Sequence, residues 1–235
     1  MLRLDKFLSS AASLSRKESA AAVRKGRVSI NGAPARDPAA KVDEEKDVIL
    51  LDGRALLYRR YTWLMLHKPA GYVSSTDDPS GPTVLELLPE DLRQGLFPCG
   101  RLDKNTTGLM LLTSDGALSH LLLSPKRHVP KTYAFTCEKP VTKEDLEELQ
   151  KGVVIDGQVT LPCDIELDDP LSGRITLHEG RYHQIKLMFQ NRCNKVLSLH
   201  RLSFGPLALD PGLLPGDFRP LTDNELALLT GAVTK

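Results

Sequence analysis

Apolar positions recur along the chain with two different periods, and the switch between them predicts the elements. Leu4, Phe7 and Leu8 fall at helical spacing within residues 3–9, and Ala20, Ala22 and Val23 mark neighbouring faces of a second helix over 15–25. Ser15 followed three residues later by Glu18 has the form of a capping box, which places that helix start at "SRKES". "KGRVSINGAPA" then predicts a helix end at Gly26, a short strand over 27–30 and a turn at Asn31-Gly32. "DEEKDVILLDG" predicts a second strand over 48–51. Residues 1–58 therefore read as a self-contained module of two short helices and a small β unit.

"GRALLYRRYT", residues 53–62, has the composition of a linker. Beyond it, "WLMLHKPAGYVSS" predicts two short strands around a Lys-Pro-Ala-Gly turn, and "PTVLELLP" a short helix bounded by prolines. "GLMLLTSDG" reads as a buried strand and "GALSHLLLS" as the helix after it. "HVPKTYAFTCEKP" alternates like a strand, "TKEDLEELQKG" predicts a helix with Gly152 past its end, and "GRITLHEG" another strand. In "RYHQIKLMFQNRC" the positions of Ile185, Met188 and Phe189 are helical, "KVLSLHRLSFGPLAL" returns to β, and "TDNELALLTG" closes with a helix. Strands outnumber helices without a regular βαβ alternation. That pattern predicts an α+β fold, with a mixed, mostly antiparallel sheet following the small module. The expected division is 1–59 and 60–235.

Bulk composition changes this picture little. The chain has 235 residues, 41% hydrophobic and 26% charged, which is ordinary for a globular protein. The distribution of charge is more telling. Residues 1–36 hold eight Lys/Arg against two acids, a net of +6; the whole chain is +1, so +1 minus +6 leaves −5 for the remainder. A basic module is thus joined to a near-neutral body. The cysteines, at 99, 137, 163 and 193, show no CxxC and no metal-ligand spacing, so no metal site is expected. Scattered thiols and an N-terminus with an early Asp5 and no apolar core point to a cytoplasmic protein, and no run has the length of a membrane span.

The basic module carries a recognisable pattern. Its Arg-Leu-Asp-Lys-Phe-Leu opening, the Ser-Arg at the second helix, the Gly-x-Val-x-Ile-Asn-Gly turn and the closing Asp-x-Ile strand resemble an S4 RNA-binding domain. The resemblance implies that the second helix and the following loop face structured RNA. Arg3, Lys6, Arg16, Lys17, Arg24, Lys25 and Arg27 are the candidate contacts. Cations in that number can neutralise several phosphates, and A-form RNA is read through shape and backbone more than through base edges.

The larger region resembles a second family along its length. "YTWLMLHKPAGYVSSTDDPSGPTVLELLP", "GRLDKNTTGLMLLTSDG", "KTY", "EGRYHQIKLMF" and "LHRLSFGPLAL…LPGDFRPLT" together are similar to the pseudouridine synthases. The S4 module in front and "YVSSTDDPSGPTV" are most similar to the branch that modifies small-subunit ribosomal RNA. Such an enzyme cuts the bond from ribose to uracil nitrogen, turns the base and rejoins it through carbon. No atoms are gained or lost, so no cofactor is expected, and the chain carries neither a dinucleotide nor a phosphate-loop signature.

The chemistry needs an ionised carboxylate beside the sugar, and Asp103 in "GRLDKNTTG" matches that position. Whether it attacks the sugar carbon or removes a ribose proton is open at this point. Taken alone, the stretch also suits a turn with a capping Asp. A carboxylate in a closed pocket takes up a proton unless a cation holds its charge, and the family places a basic residue where Lys186 stands. Many relatives use Arg there, so Lys offers a point charge in place of a bidentate fork. Leu187 departs from close relatives, which often carry a further basic residue.

Tyr133 in "KTY" matches the aromatic that stacks on an extruded base, with stacking worth roughly 1–3 kcal/mol. By resemblance, Arg101 and Arg181 grip phosphates or fill the place of the displaced base. Arg101 has a second possible task, organising the loop around Asp103. His183 and Gln184 read as general acid–base groups or, in preference, as structural hydrogen-bonding residues on a helix.

The implied partner is ribosomal RNA or an assembling ribosomal particle, with the protein a monomer and no membrane involved. Three other readings stand beside this one: action on large-subunit RNA, a noncatalytic RNA-binding assembly factor, and a hydrolase using Glu179 as second acid.

Overall fold

The computed structural model describes residues 1–12, 14–44, 46–56, 58 and 60–233. The chain divides into two compact units, Met1–Tyr61 and Thr62–Lys235. The expected boundary at 59/60 falls on residue 59, outside the described residues.

In the first unit, helix α1 spans Leu4–Ala11 and α2 Arg16–Arg24. The capping box forms: Ser15 Oγ accepts the Glu18 N–H at 3.2 Å, and Glu18 Oε2 accepts the Ser15 N–H at 2.8 Å. Four short strands follow, β1 Val28–Ile30, β2 Ala33–Pro34, β3 Ile49–Leu51 and β4 Arg54–Leu56, ordered β2-β1-β3-β4 and antiparallel throughout. Leu4, Phe7 and Leu8 from α1 pack with Ala22 and Val23 from α2 and with Val28, Val42 and Ile49 into one buried cluster. Residues 53–62, expected to be a linker, are largely part of this unit. β4 extends its sheet, and the Tyr58 ring stacks on Phe7 with centroids 5.2 Å apart.

The second unit is built on one mixed sheet. Its principal strands are β5 Trp63–Lys68, β6 Thr107–Thr113, β7 Lys131–Cys137, β8 Asp164–Asp169, β9 Ser172–Leu177, β10 Val196–Phe204 and β11 Phe218–Pro220. They run in the order β8-β9-β7-β10-β6-β5-β11, and with Phe97–Pro98 on β6 and Leu207–Ala208 on β10 the sheet has nine strands among the described residues. Every pairing in it is antiparallel except β6 with β10, which lie parallel through His200 opposite Thr107 and Arg201 opposite Gly108. Gly108 has φ +102°, and a Cβ there would stand 2.3 Å from the Arg201 carbonyl oxygen, so only glycine permits the approach.

Helices α3 Gly116–Leu123, α4 Lys143–Lys151, α5 Gln184–Asn191 and α6 Asp223–Gly231 connect or cover the strands. Capping boxes at Thr142/Asp145 and Thr222/Glu225 start α4 and α6. Helix α5 buries Ile185, Met188 and Phe189, with Phe189 tilted against Phe135 at 4.9 Å. Two expectations differ. "GYVSS" forms no strand beyond one parallel bridge from Val73 to Thr83, and "PTVLELLP" closes only a 3₁₀ turn over Val84–Leu87. The proline-bounded stretch has no room for a full α-helical hydrogen-bond ladder.

Candidate active site

Asp103 sits in the loop that leads into β6, and the loop is pinned from beneath. Leu102 is buried and clamped by Ser74, whose Oγ donates to the Leu102 carbonyl at 2.7 Å and accepts its N–H at 3.0 Å. The Thr106 N–H closes a turn on the Asp103 carbonyl at 3.0 Å, and the Gly71 N–H reaches the Lys104 carbonyl at 2.9 Å.

Lys68, the last residue of β5, is 0% exposed. Its Nζ donates to the carbonyls of Thr106 at 2.9 Å, Lys104 at 3.0 Å, Pro69 at 3.1 Å and Asp103 at 3.2 Å. One ammonium thus holds the backbone at Asp103 and over the turn that follows it. Burial pushes the Lys68 amine down to about 8; Asp103 pulls it back up, and Arg201 pushes it further down.

The Asp103 side chain, 24% exposed, turns towards the start of α5. Its Oδ2 lies 2.5 Å from Lys186 Nζ, and its Oδ1 lies 3.3 Å from His183 Nε2. His183 is not on the helix as expected. It is the N-cap of α5 with φ 50° and ψ 26°, a left-handed conformation that few non-glycine residues adopt. Helical periodicity alone extends the helix too far towards Arg181.

These groups open on a cavity of about 500 Å³, whose lining includes Arg101, Asp103, Tyr133, Tyr182, His183 and Lys186. That volume falls within the range of small-ligand sites. Tyr133 on β7 is 8% exposed, packed into the core on one side and lining the cavity on the other. Thr106, also lining the cavity, has a buried hydroxyl without a hydrogen-bond partner among the described residues.

The buried floor adds two cations that the linear pattern does not reveal. Arg201 is 1% exposed, donates from Nε to the Leu109 carbonyl at 2.6 Å and lies over the Phe204 ring. Lys131, two residues before Tyr133, donates to the Val129 carbonyl at 2.8 Å and shares the Phe204 ring. Burial, followed by Arg201, pushes Lys131 down to about 8. A lysine in "HKP" or "PKT" reads as solvated, and nothing in its neighbours along the chain shows that the sheet covers it.

Arg101 is exposed at the cavity, free to face a polyanion. Arg181 departs from its expected task. Its guanidinium is tied to Glu179 Oε2 at 3.1 Å and to the carbonyls of Gln158 at 3.2 Å and Val159 at 2.7 Å. Glu179 is itself saturated, because its Oε1 also accepts the Leu161 N–H at 2.9 Å and Gln184 Nε2 at 2.8 Å. Gln184 is therefore a structural residue, and Glu179 is bound up in holding the loop before α5, which removes the basis for a two-carboxylate hydrolase.

In the first unit Lys6, Arg16, Lys17, Arg24 and Lys25 are exposed, with no carboxylate within 4.0 Å among the described residues. Arg3 pairs with Asp5 at 2.6 Å and Arg27 with Asp52; both arginines are exposed in these pairs, so another anion can exchange for the carboxylate.

A sheet of this order with a cavity-facing carboxylate held by a lysine defines a class that comparison makes specific. The family model described as "RNA pseudouridylate synthase" matches residues 62–191, and the S4 domain model matches residues 2–49. The chain belongs to the RNA pseudouridylate synthase family and is an isomerase of that class. It is 45% identical over 234 residues to the "Uncharacterized RNA pseudouridine synthase YtzG" of Bacillus subtilis (strain 168), covering 97% of this chain and 98% of the relative. It is 43% identical over 229 residues to the "Ribosomal small subunit pseudouridine synthase A" of Escherichia coli (strain K12), covering 96% and 99%. A solved structure described as "Crystal structure of pseudouridylate synthase" matches with a TM-score of 0.69 at 38% identity, over 97% of this chain and 100% of that one. No helix among the described residues is long and apolar enough to cross a membrane.

Proposed function

We propose that the protein converts a specific uridine of small-subunit ribosomal RNA to pseudouridine, as a cytoplasmic monomer. The target class follows the name of the Escherichia coli relative, and the S4 module supplies the RNA grip. The observation that carries the catalytic assignment is the Asp103 carboxylate, open to the cavity, with Lys186 at 2.5 Å.

In this reading the target nucleotide leaves its helix and places its ribose against Asp103. The bond from ribose C1′ to uracil N1 breaks, and its electron pair goes to the base. Asp103 acts at the sugar, either forming a bond to C1′ or taking the proton from C2′. The base turns and C5 bonds to C1′, breaking the Asp103–C1′ bond on the first route or followed by return of the proton to C2′ on the second; C5 then gives up its proton and N1 takes one up, so the atoms balance with no cofactor. Lys186 sets its ammonium directly against the carboxylate, and its compact charge lets the oxygen turn towards the sugar. Tyr133 presents its ring to the extruded base. Residues 1–59 form the RNA-binding module and 60–235 the catalytic one.

Asp103→Asn tests the assignment: isomerisation is lost while RNA affinity is nearly unchanged, and substantial residual pseudouridine formation would sink it. Mapping pseudouridines in ribosomal RNA with and without the protein tests the target. A small-subunit site disappears in its absence; a missing large-subunit site instead would move the target to the other subunit.

A further inference from the structure

Tyr182 is left unexplained by this chemistry. Its side chain is 69% exposed, whereas Trp63, Tyr133, Phe135, Phe189 and Phe204 are all buried. The ring is nevertheless held in place. It stacks on the His183 imidazole with centroids 3.8 Å apart and planes 21° from parallel. His183 in turn directs Nε2 at Asp103 Oδ1, 3.3 Å away. The residue before it is fixed too, since Arg181 is tied to Glu179 and to the carbonyls of Gln158 and Val159. One face of the Tyr182 ring is therefore covered, and the other is open at the edge of the cavity.

An open aromatic face held flat beside a nucleic-acid cavity has an obvious chemical complement. Arg101, Lys104 and Lys186 line the same cavity and attract a polyanion, while the ring offers a nucleobase a π face. When the target uridine leaves the stack, the base next to it loses a stacking partner. Resting on the RNA synthase reading above, we propose that the outer face of Tyr182 is a stacking platform for the nucleobase adjacent to the target uridine. The platform replaces part of the stacking that extrusion removes. It accepts any base, so it contributes affinity and strand position more than sequence readout. Because the ring rests on His183, a base seated on Tyr182 also restrains the imidazole that faces Asp103.

The test uses the full-length protein and a short RNA carrying the site that wild type modifies in small-subunit ribosomal RNA. Tyr182→Ala raises KM about 5–150-fold, the range expected for a stacking loss of about 1–3 kcal/mol, with a smaller change in kcat. Tyr182→Phe restores wild-type KM, because the face is used and the hydroxyl is not. An abasic nucleotide on the stacked side of the target erases the difference between Tyr182→Ala and wild type, as coupled groups require. Thermal melting checks that the variants are folded.

The proposal is overturned if Tyr182→Ala keeps wild-type KM, or if Tyr182→Phe is as damaging as Tyr182→Ala. It is also overturned if the defect persists with an abasic nucleotide on either side, which would make Tyr182 only a brace for His183 or a docking point for a protein of the ribosomal particle. Wild-type protein that isomerises no ribosomal RNA overturns the synthase reading and this proposal together; active wild type with an indifferent Tyr182→Ala overturns the platform alone.

Discussion

Replacing Lys68 with methionine isolates what a buried ammonium does for the Asp103 loop. Methionine keeps an unbranched side chain at this buried position and removes every donor. Four carbonyls are deprived of their hydrogen bonds from Nζ, at 2.9 to 3.2 Å. Hydrogen bonds to a charged donor contribute about 1.5–3 kcal/mol each. The full sum does not apply, because the Asp103 and Lys104 carbonyls each keep a second donor, from Thr106 N–H and Gly71 N–H. Removing a buried charge also returns part of its desolvation cost, the same effect that holds the Lys68 amine at about 8. The net expectation is a loss of roughly 2–4 kcal/mol, or a Tm lower by about 5–15 °C for a chain of this size.

Activity falls further than stability. Three of the carbonyls released are those of Asp103 itself and of Lys104 and Thr106 just after it, and a displacement of about 1 Å in a reacting group costs on the order of 100-fold. Single-turnover release of tritium from uridine C5 at 25 °C, where the variant is still folded, measures this directly. The rate is expected to drop about 100-fold with RNA affinity changed little. A folded Lys68→Met variant with a lower Tm but a wild-type rate would refute the reasoning, leaving Lys68 a stabilising residue with no hold over Asp103.

Three further outcomes are expected. Lys186→Ala removes the cation 2.5 Å from Asp103 and cripples turnover; a wild-type rate would point to another counter-charge. Neutralising Arg16, Lys17, Arg24 and Lys25 together flattens the salt dependence of RNA binding, by roughly 0.7–0.9 in log–log slope for each phosphate no longer neutralised; an unchanged slope would make the first unit's basic face a solvated surface. Arg219, then the Thr222 cap, hold Glu225 down to about 2 against an ordinary 4.5 despite partial burial. A lowered acid pKa stabilises fully above about 4.5 and loses that contribution as pH falls towards 2, so Glu225→Gln costs up to about 3 kcal/mol at pH 7 and almost nothing near pH 2. Urea unfolding across that range checks it, and a pH-independent difference would contradict the assignment.

Much of the site is legible in the sequence because the family pattern marks residues that the fold then gathers. Asp103, Tyr133 and Lys186 come from a loop, a strand and a helix up to 83 positions apart and line one cavity. What escapes notice is whatever depends on burial across the sheet. Lys68, Lys131 and Arg201 are ordinary cations in the linear pattern and become buried only when β5, β7, β10 and β6 pair. His183 is misplaced by periodicity because the apolar spacing of Ile185, Met188 and Phe189 is silent about where the helix begins. β8 escapes for the opposite reason: "DIELDD" at the sheet edge buries only Ile165, and its brief Ile-x-Leu alternation is set among four acids. β4 reads as linker because three residues of Arg-Ala-Leu are too short a pattern to register.

The parallel pairing of β6 with β10 sets a timetable for the molecule. Asp103 is anchored to β6, yet one side of the start of that strand is completed by His200 and Arg201, 93 residues later for each partner. A connection of that length closes slowly and brings its stabilisation only at the end, after the local hairpins have formed. The lysine that faces Asp103 is also encoded 83 positions downstream. A chain still being synthesised therefore carries its RNA-binding module long before it owns a finished catalytic centre. Recognition matures first and chemistry last, and a truncated product could grip RNA without altering it.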